Sequence, residues 1–575
     1  MKKKSWMLLL TLVLVIGTVL AGCGSANETN TDSAATAPGT TDNGNASEPA
    51  ATDANLAADQ TLSLNLTAEP PTLDPAQAQD SQSNTALRFM YEGLATIDAE
   101  GNPVPGAAES WDVSEDGLTY TFKMREGATW SNGDPVTAND FVYAWQRVLN
   151  PETVPAPVYA YQLYYIEGAE AYNTGETTDF STVGVKAVDE KTLEVKLTNP
   201  TPYFLGLTSF YTLYPVHQST VEGNNAWATK PESMVVNGPF TMTSWTSGSE
   251  MGWTKNENYW DADNIKLSNI TATIVNSGAT ETAKYQGGEI DYAGAPTGEI
   301  PTDQIQPLSQ QLADEFKLTN IASTYYYEFN TEVEPFNNEK IRKAFAMSID
   351  RQSLIDNVTK ASQTPAYGFV PTSIAGLNGQ SFRDMHPDSE YFKEDAAQAK
   401  QLLEEGMKEE GYTTLPPITL LYNTSENHQK LALAVADMWK KNLGVEIQTR
   451  NEEWSVFLES RKTGNFQIAR AGWSADYNDP MTYMDMFVSG GGNNNTGYAD
   501  PAYDKLIEEA YKGGNDLEKR MQDMADAEKL LIQENMVIMP VYYYTQASLT
   551  KPYLKGVTTD FSGAIDFTRA YLEEH

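Results

Sequence analysis

The chain has 575 residues with 78 acidic against 39 basic side chains, a formal net charge of −39, 11% aromatics and a single cysteine. No basic patch stands out of that balance, which sets nucleic-acid binding aside, and one cysteine excludes an internal disulfide. The length and aromatic content suffice for two or three packed lobes, and the acidic balance favours solubility.

In chain order, Lys2, Lys3 and Lys4 precede an apolar run from Trp6 to Leu20 and then "LAGC" ending at Cys23. A basic start, a short apolar stretch and small residues before a cut read as a signal peptide over 1–22. The run falls short of the roughly 20 residues a spanning helix needs. "LAGC" resembles the lipobox of bacterial lipoproteins, which makes Cys23 the lipidation site and anchors the protein to a membrane surface without spanning it. Residues 23–58, rich in Ala, Thr, Asn, Asp, Gly and Ser, read as the lipidated cysteine and a flexible tether.

Strict alternation over Thr61–Leu66 predicts the first strand. A helical pattern runs from Asn84 through Leu87, Met90, Tyr91 and Leu94, and Thr119 to Arg125 alternates as a strand. Thr137 and Asp140 have the spacing of a capping box for a helix carrying Phe141, Trp145 and Val148, which Asn150-Pro151 stops. "VDEKTLEVKLTNP", "NGPFTMTSW" and "YYYEFNT" (from Tyr325) give further strands. Helical spacing then dominates: Ile341, Ala344, Phe345, Ser348 and Ile349; Leu402 and Leu403; Leu431, Val435, Met438 and Trp439, ended by Gly444. "VEIQTRNEEW" resumes as strand, and a helix over 517–535 gives way to "VIMPVYYY". Strands and helices mixed throughout predict an α/β protein.

Near the end of this order stands "FQIARAGWSADYNDP". Phe466, Ile468 and Ala469 alternate into Arg470, small residues separate Trp473 from Asp476, and Asn478-Asp479-Pro480 makes an abrupt turn. A cation, an aromatic face and an anion at a strand end suit a binding loop. Gly472, Ser474 and Ala475 leave room for another backbone to approach. The plainer reading is a structural tryptophan in a tight turn with two surface charges.

Taken together, "WSNGDPVTANDFVYAWQRVLNP", "NGPF", "GEID", "STYYYEFNT", "LLYNTSENHQKLALAVADMWKKNLGV", "RNEEW", "RAGWSADYNDP" and "MPVYYY" closely resemble the bacterial oligopeptide-binding lipoproteins. These belong to family 5 of the extracellular solute-binding proteins, which serve peptide ABC importers. The resemblance runs from about residue 60 to the end. It implies a two-lobed periplasmic-binding-protein-like (type II) fold with an extra subdomain in the first lobe, closing over a buried peptide. On that pattern lobe I comprises 59–91, 215–325 and 545–575, the extra subdomain 92–214, and lobe II 326–544. The implied role is capture of oligopeptides with a free N-terminus, by a monomer without cofactor or metal. The protein would sit lipid-anchored on the extracytoplasmic face of the cell membrane and hand its ligand to the permease subunits of an importer.

The family's residue roles carry over position by position. Asp476 matches the aspartate that holds the peptide's α-amino group, and Arg470 and His428 the cationic residues that meet the terminal carboxylate of short peptides. Trp454 and Trp473 match aromatic walls, Tyr326 and Tyr544 tyrosines lining the cleft, and Gly472 and Ser474 positions whose backbone pairs with the peptide. The family has a lysine before a "PAYG" segment; here Lys360 stands one residue closer to it. Each candidate also has a plainer reading. His428 would be a surface residue in the first turn of a helix capped by Ser425, Arg470 the partner of a neighbouring carboxylate, Trp454 ordinary core and Asp476 a turn residue.

An enzyme of another class, such as an exported peptidase or glycosidase, finds little support. The four histidines (217, 386, 428 and 575) are scattered with no HExxH, "GWSAD" lacks the last glycine of a nucleophile elbow, and "GNNNTGYA" has Tyr498-Ala499 where a P-loop needs Lys-Ser/Thr. Within the binding class the alternatives are relatives specialised for murein peptides, dipeptides, peptide pheromones or nickel. No grouped metal ligands speak for the last.

Overall fold

Strand alternation at the start and helical spacing later on produce two kinds of layer, seen in a computed structural model that describes residues 55–98 and 101–575. The signal peptide, Cys23 and the tether up to residue 54 lie outside the described residues. Strand β1 (Thr61–Leu66) buries Leu62, Leu64 and Leu66. Helix α1 (Ser81–Met90) follows, capped by Asp80, whose carboxylate accepts from the Gln82 and Ser83 N–H groups.

Next come β2 (Ala108–Val113), β3 (Thr119–Met124), β4 (Val185–Asp189) and β5 (Thr192–Lys196), an antiparallel sheet in the order β2-β3-β5-β4. Helix α2 (Ala138–Leu149) lies between β3 and β4 in sequence, and its start carries the expected capping box from Thr137 and Asp140. The chain then returns to β1. Strands β6 (Phe240–Thr246), β7 (Glu250–Lys255) and β8 (Asn269–Ile274) build a second sheet in the order β1-β8-β7-β6, with β1 and β8 parallel.

A seven-stranded sheet completes the frame. Its members are β9 (Tyr292–Gly294), β10 (Phe316–Phe329), the short β11 (Thr364–Pro365), β12 (Thr419–Asn423), β13 (Gln448–Glu452), β14 (Ile468–Ser474) and β15 (Ile538–Thr550). The order is β9-β15-β10-β14-β12-β13, with β11 on β15. Helices α3 (Glu339–Met347), α4 (Ala396–Glu409), α5 (Glu426–Leu443) and α6 (Trp454–Lys462) belong to this half. Helix α5 buries Leu431, Val435 and Trp439, and Trp439 packs on Phe345 and Tyr327. That apolar stripe at helical spacing explains the seat of α5 on the sheet.

β10 and β15 are long, 14 and 13 residues, and pair antiparallel from Phe316↔Leu549 to Glu328↔Ile538. Their register slips between Asn320 and Thr324 and again between Tyr325 and Tyr326. Such bulges bend a ladder and re-aim side chains. They divide the two strands into one half that carries β9 and another that carries β14 and β12.

Two expectations shift. The strand expected to end at Arg470 continues to Ser474, because pairing with β10 overrides the weak strand preference of Ala-Gly-Trp-Ser. The helix expected from Asn84 to Leu94 occupies Ser81–Met90, ending where Tyr91 turns extended. Among the described residues no helix is long and apolar enough to cross a membrane.

Candidate functional site

The site is built on β14. One edge pairs with β10 along its whole length, from Ile468↔Phe329 to Ser474↔Ser323. The other edge meets β12 only at Ile468 and Ala469, which leaves Arg470 to Ser474 unpaired on that side. Just past the strand, the Ala475 N–H donates to the Ala322 carbonyl at 2.9 Å. In an antiparallel ladder bonded residues alternate, so Ala475, Trp473 and Ala471 face β10 while Gly472 and Ser474 turn their N–H and C=O groups to the open edge. Ser474 is exposed there, and Gly472 half-buried.

A cavity of about 500 Å³ lies along that edge, lined by Gly472, Trp473, Ser474 and Asp476, with Trp454 and Tyr159 among the walls. Trp473 donates from its indole to Thr482 Oγ1 at 3.3 Å and faces Tyr159, ring centroids 6.2 Å apart. Trp454 opens α6, stacks on Phe457 and donates to Asp80 Oδ1 at 3.2 Å. Both tryptophans are half-buried and line the cavity. Each indole N–H is already satisfied, so the faces, not the polar tips, are what a guest would meet.

Asp476 ends the row. Its N–H donates to Thr482 Oγ1 at 3.1 Å, and its carboxylate accepts from Gln162 Nε2 at 3.2 Å. Among the described residues no cation lies within ion-pair distance. Burial, and then the charge of Asp485, hold the Asp476 carboxyl well above the ordinary aspartate range. Asp485 itself is buried and pushed up to about 8 by burial, although Tyr477 donates to it at 3.1 Å. An uncompensated buried carboxylate is costly. A positive charge brought beside it would offset that cost.

At the other end Arg470 faces a second cavity of about 280 Å³, lined also by His428, Tyr542, Tyr544, Asn423 and Glu299. The guanidinium donates to the Tyr544 hydroxyl at 2.6 Å and to Asn423 Oδ1 at 3.4 Å, and stands over the Tyr325 ring at 5.1 Å. Its Nε has no partner, and no carboxylate lies within ion-pair distance among the described residues. His428 occupies the first turn of α5, where its N–H donates to Ser425 Oγ at 3.1 Å. Burial and then the neighbouring Arg470 push the imidazole well below its ordinary value, so in the empty cleft the ring is neutral and Arg470 alone carries positive charge.

Eight of the ten candidates therefore come to the two cavities: Asp476, Trp473, Trp454, Gly472 and Ser474 at one, Arg470, His428 and Tyr544 at the other. Two do not. Tyr326 is fully buried against Phe369, centroids 5.0 Å apart, and lines neither cavity. Neighbouring strand residues point to opposite faces, and it is Tyr325 that packs beside Arg470, His428 and Tyr544. Lys360 sits in a left-handed turn (φ 54), exposed, and also lines neither cavity. Residues that the sequence reading passed over are Tyr325, Tyr542, Asn423, Gln162, Asp485 and Glu299. Gln162 and Asn423 come from distant stretches with no charge pattern to flag them. Tyr325 and Tyr542 lay inside motifs already recognised.

Residues 102–495 match the family described as bacterial extracellular solute-binding proteins, family 5 middle. The chain is 41% identical over 577 residues to the oligopeptide-binding protein OppA of Bacillus subtilis, covering 99% of this chain and all of that one. Among solved structures, Haemophilus influenzae OppA in complex with RPPGFSPFR superposes with a TM-score of 0.83 at 35% identity, over 90% of this chain and 100% of the other. The unliganded open form of the murein tripeptide binding protein MppA is also 35% identical over 91% of this chain and 99% of its own, yet its TM-score is 0.60. The arrangement seen here thus stands nearer to the peptide complex than to that open form.

Proposed function

The chain belongs to the bacterial extracellular solute-binding proteins of family 5, and on that premise we propose that it captures oligopeptides for an ABC importer, by their two ends and their backbone. The family's fold is α/β and two-lobed, of type II. One observation carries the reading: an open strand edge with a carboxyl at one end and a guanidinium at the other, neither with an oppositely charged partner among the described residues. An extended peptide carries the complement of all three.

The mechanism follows from what every peptide shares. Its main chain joins the Gly472–Ser474 edge as an added strand, which satisfies N–H and C=O groups that a dry cleft would otherwise leave unpaired. Its α-ammonium meets Asp476 and ionises it, relieving a buried carboxyl of its proton. Short peptides place their terminal carboxylate by Arg470, with the neutral His428 beside it as a hydrogen-bond partner. Side chains fall against Trp454, Trp473 and Tyr159 in cavities roomy enough for water, so composition matters less than the two ends. On this reading the ligand is released as it came.

We assign lobe I to 59–91, 215–325 and 545–575, the extra subdomain to 92–214 and lobe II to 326–544. The slipped registers of β10 and β15 support a hinge there, with closure a population shift that the peptide drives by touching both lobes. The protein acts as a monomer, held to the outer face of the cell membrane by lipid on Cys23 after removal of 1–22, with 23–58 as tether.

The test is mass spectrometry of ligands released on denaturing freshly purified protein spanning 24–575. A ladder of ordinary peptides with free amino termini is the expected result. A single murein peptide moves the assignment to a specialised relative, and the absence of any peptide, or turnover of an added one, overturns it.

A further inference from the structure

The loop that follows β9, residues 294–303, is zipped to the first turn of α5. Ser425 Oγ donates to Glu299 Oε2 at 2.8 Å, and the Asn427 N–H donates to Glu299 Oε1 at 3.1 Å. The contact is returned. Asn427 Nδ2 donates to the Ile300 carbonyl at 3.0 Å, and the Thr302 N–H donates to Asn427 Oδ1 at 3.2 Å. At the rim Lys430 pairs with Asp303 at 3.1 Å, and Ser277 Oγ donates to Glu426 at 3.2 Å.

The two partners lie on opposite sides of the register slip. β9 pairs with the far end of β15, at Ser548 to Thr550. Helix α5 packs on β12 and β13, beyond the slip. The loop is also braced from behind. Glu281, fully buried, accepts from the Gly294 N–H at 2.7 Å and the Glu299 N–H at 2.8 Å. It passes so close under Gly298 that a Cβ there would lie 1.7 Å from its carboxylate oxygen. Glu299 is thus presented in a fixed pose, and its carboxylate complements the N–H groups and dipole at the start of α5. His428 is the next residue of that turn.

We propose that Glu299 is a positioning residue for ligand binding: on closure its carboxylate clasps the start of α5, fixes His428 beside Arg470, and strengthens capture of every peptide through the helix. This rests on the peptide-capture reading above. The clasp differs from a ligand contact in what sets its geometry: each Glu299 oxygen accepts a hydrogen bond from the start of α5, one from Ser425 and one from Asn427. It differs from a purely structural bond because it joins the two sides of the slip and has to open with the cleft.

The test uses the full-length chain in detergent, with Glu299→Ala and Asn427→Ala singly and together. Probes are Ala-Ala-Ala, Ala-Ala-Lys and a longer alanine-rich peptide, read by calorimetry and by dissociation rates. Dyes on either side of the hinge report the closed fraction. Glu299→Ala is expected to weaken all three peptides alike, by about tenfold, through faster dissociation, as loss of hydrogen bonds to a charged group implies. The double variant loses less than the sum of the two singles, and the melting temperature of the empty protein is unchanged. A loss confined to Ala-Ala-Lys overturns the clasp and makes Glu299 a direct partner of a cationic side chain. Equal loss of melting temperature without a change in closed fraction overturns it as a fold-stability bond. If the wild type binds none of the peptides, the capture reading fails. The closed fraction still tests the clasp then, because Glu299→Ala has to lower it.

Discussion

The Arg470 guanidinium donates to the Tyr544 hydroxyl at 2.6 Å, and this neutral oxygen, with no carboxylate, is its closest polar partner. The cation is oriented without being neutralised. That distinction separates a binding arginine from a structural one: Arg461 on Glu328 and Arg520 on Asp479 are buried pairs with their charge already cancelled. Removing the hydroxyl frees Arg470 to swing. Tyr544→Phe is expected to weaken short peptides by about 1 kcal/mol and to leave long ones, whose carboxylates lie elsewhere, unchanged. Calorimetry with tri-, tetra- and octapeptides reads this directly, and a uniform loss would count against it.

Asp476 is expected to dominate affinity. Asp476→Asn should cost about 2–5 kcal/mol, as truncating one partner of a buried charge pair does. Wild-type protein should lose a similar amount when the peptide's amino group is acetylated. In the variant, acetylation should change little. If the two losses simply add, the ammonium is held somewhere else.

Gly472 lies where a Cβ would stand 3.2 Å from both the Arg470 guanidinium and the Tyr544 hydroxyl, beside the open edge. Gly472→Val therefore displaces that pair and covers the edge at once. We expect loss of binding with the melting temperature barely lowered, because the strand keeps its β10 partner. Thermal melts with and without peptide decide the point, and a variant that still gains stability from peptide refutes edge pairing there.

Proton release should accompany binding. Burial and Asp485 hold the empty Asp476 above the ordinary range, so an arriving ammonium expels its proton. Affinity then rises with pH until Asp476 is ionised in the empty protein, and levels off beyond. Calorimetry at pH 6 in buffers of different ionisation heat should show a proton leaving the wild type, and none leaving in Asp476→Asn. No buffer dependence would contradict the assignment.

Asp485 also sets a stability slope of its own. Its native value of about 8, against 3.8 ordinarily, means the folded chain holds a proton that the unfolded chain has lost. Stability from this group is therefore full below about 4, declines as pH rises, and is gone above about 8. Asp485→Asn should melt closer to wild type at pH 5 than at pH 8, where the variant gains. Parallel profiles would mean that Asp485 is ionised throughout.

Much of the site was legible in the chain, for identifiable reasons. Asp476, Trp473 and Arg470 share one strand and its turn, so their association is local. The Thr137–Asp140 capping box and the alternation of Thr61–Leu66 are likewise local rules that the fold obeys. That Tyr325, and not Tyr326, packs beside Arg470 was not legible, because alternation defines two faces without saying which neighbours each one meets. The place of Lys360 outside both cavities was not legible for a related reason: it is left-handed after Thr359, and spacing alone does not carry that turn. Glu299 meets Ser425 and Asn427 across more than a hundred residues, and Asp485 acts through its burial; neither shows in the local pattern.

The unpaired edge of β14 has one more consequence. A naked strand is ordinarily a template on which copies of a protein stack into aggregates. Here it is walled inside a cavity by Trp454, Trp473 and Tyr159, within reach of a flexible guest and shielded from a second folded chain. Folded copies brought close together are therefore kept from pairing through this edge as long as those walls stand.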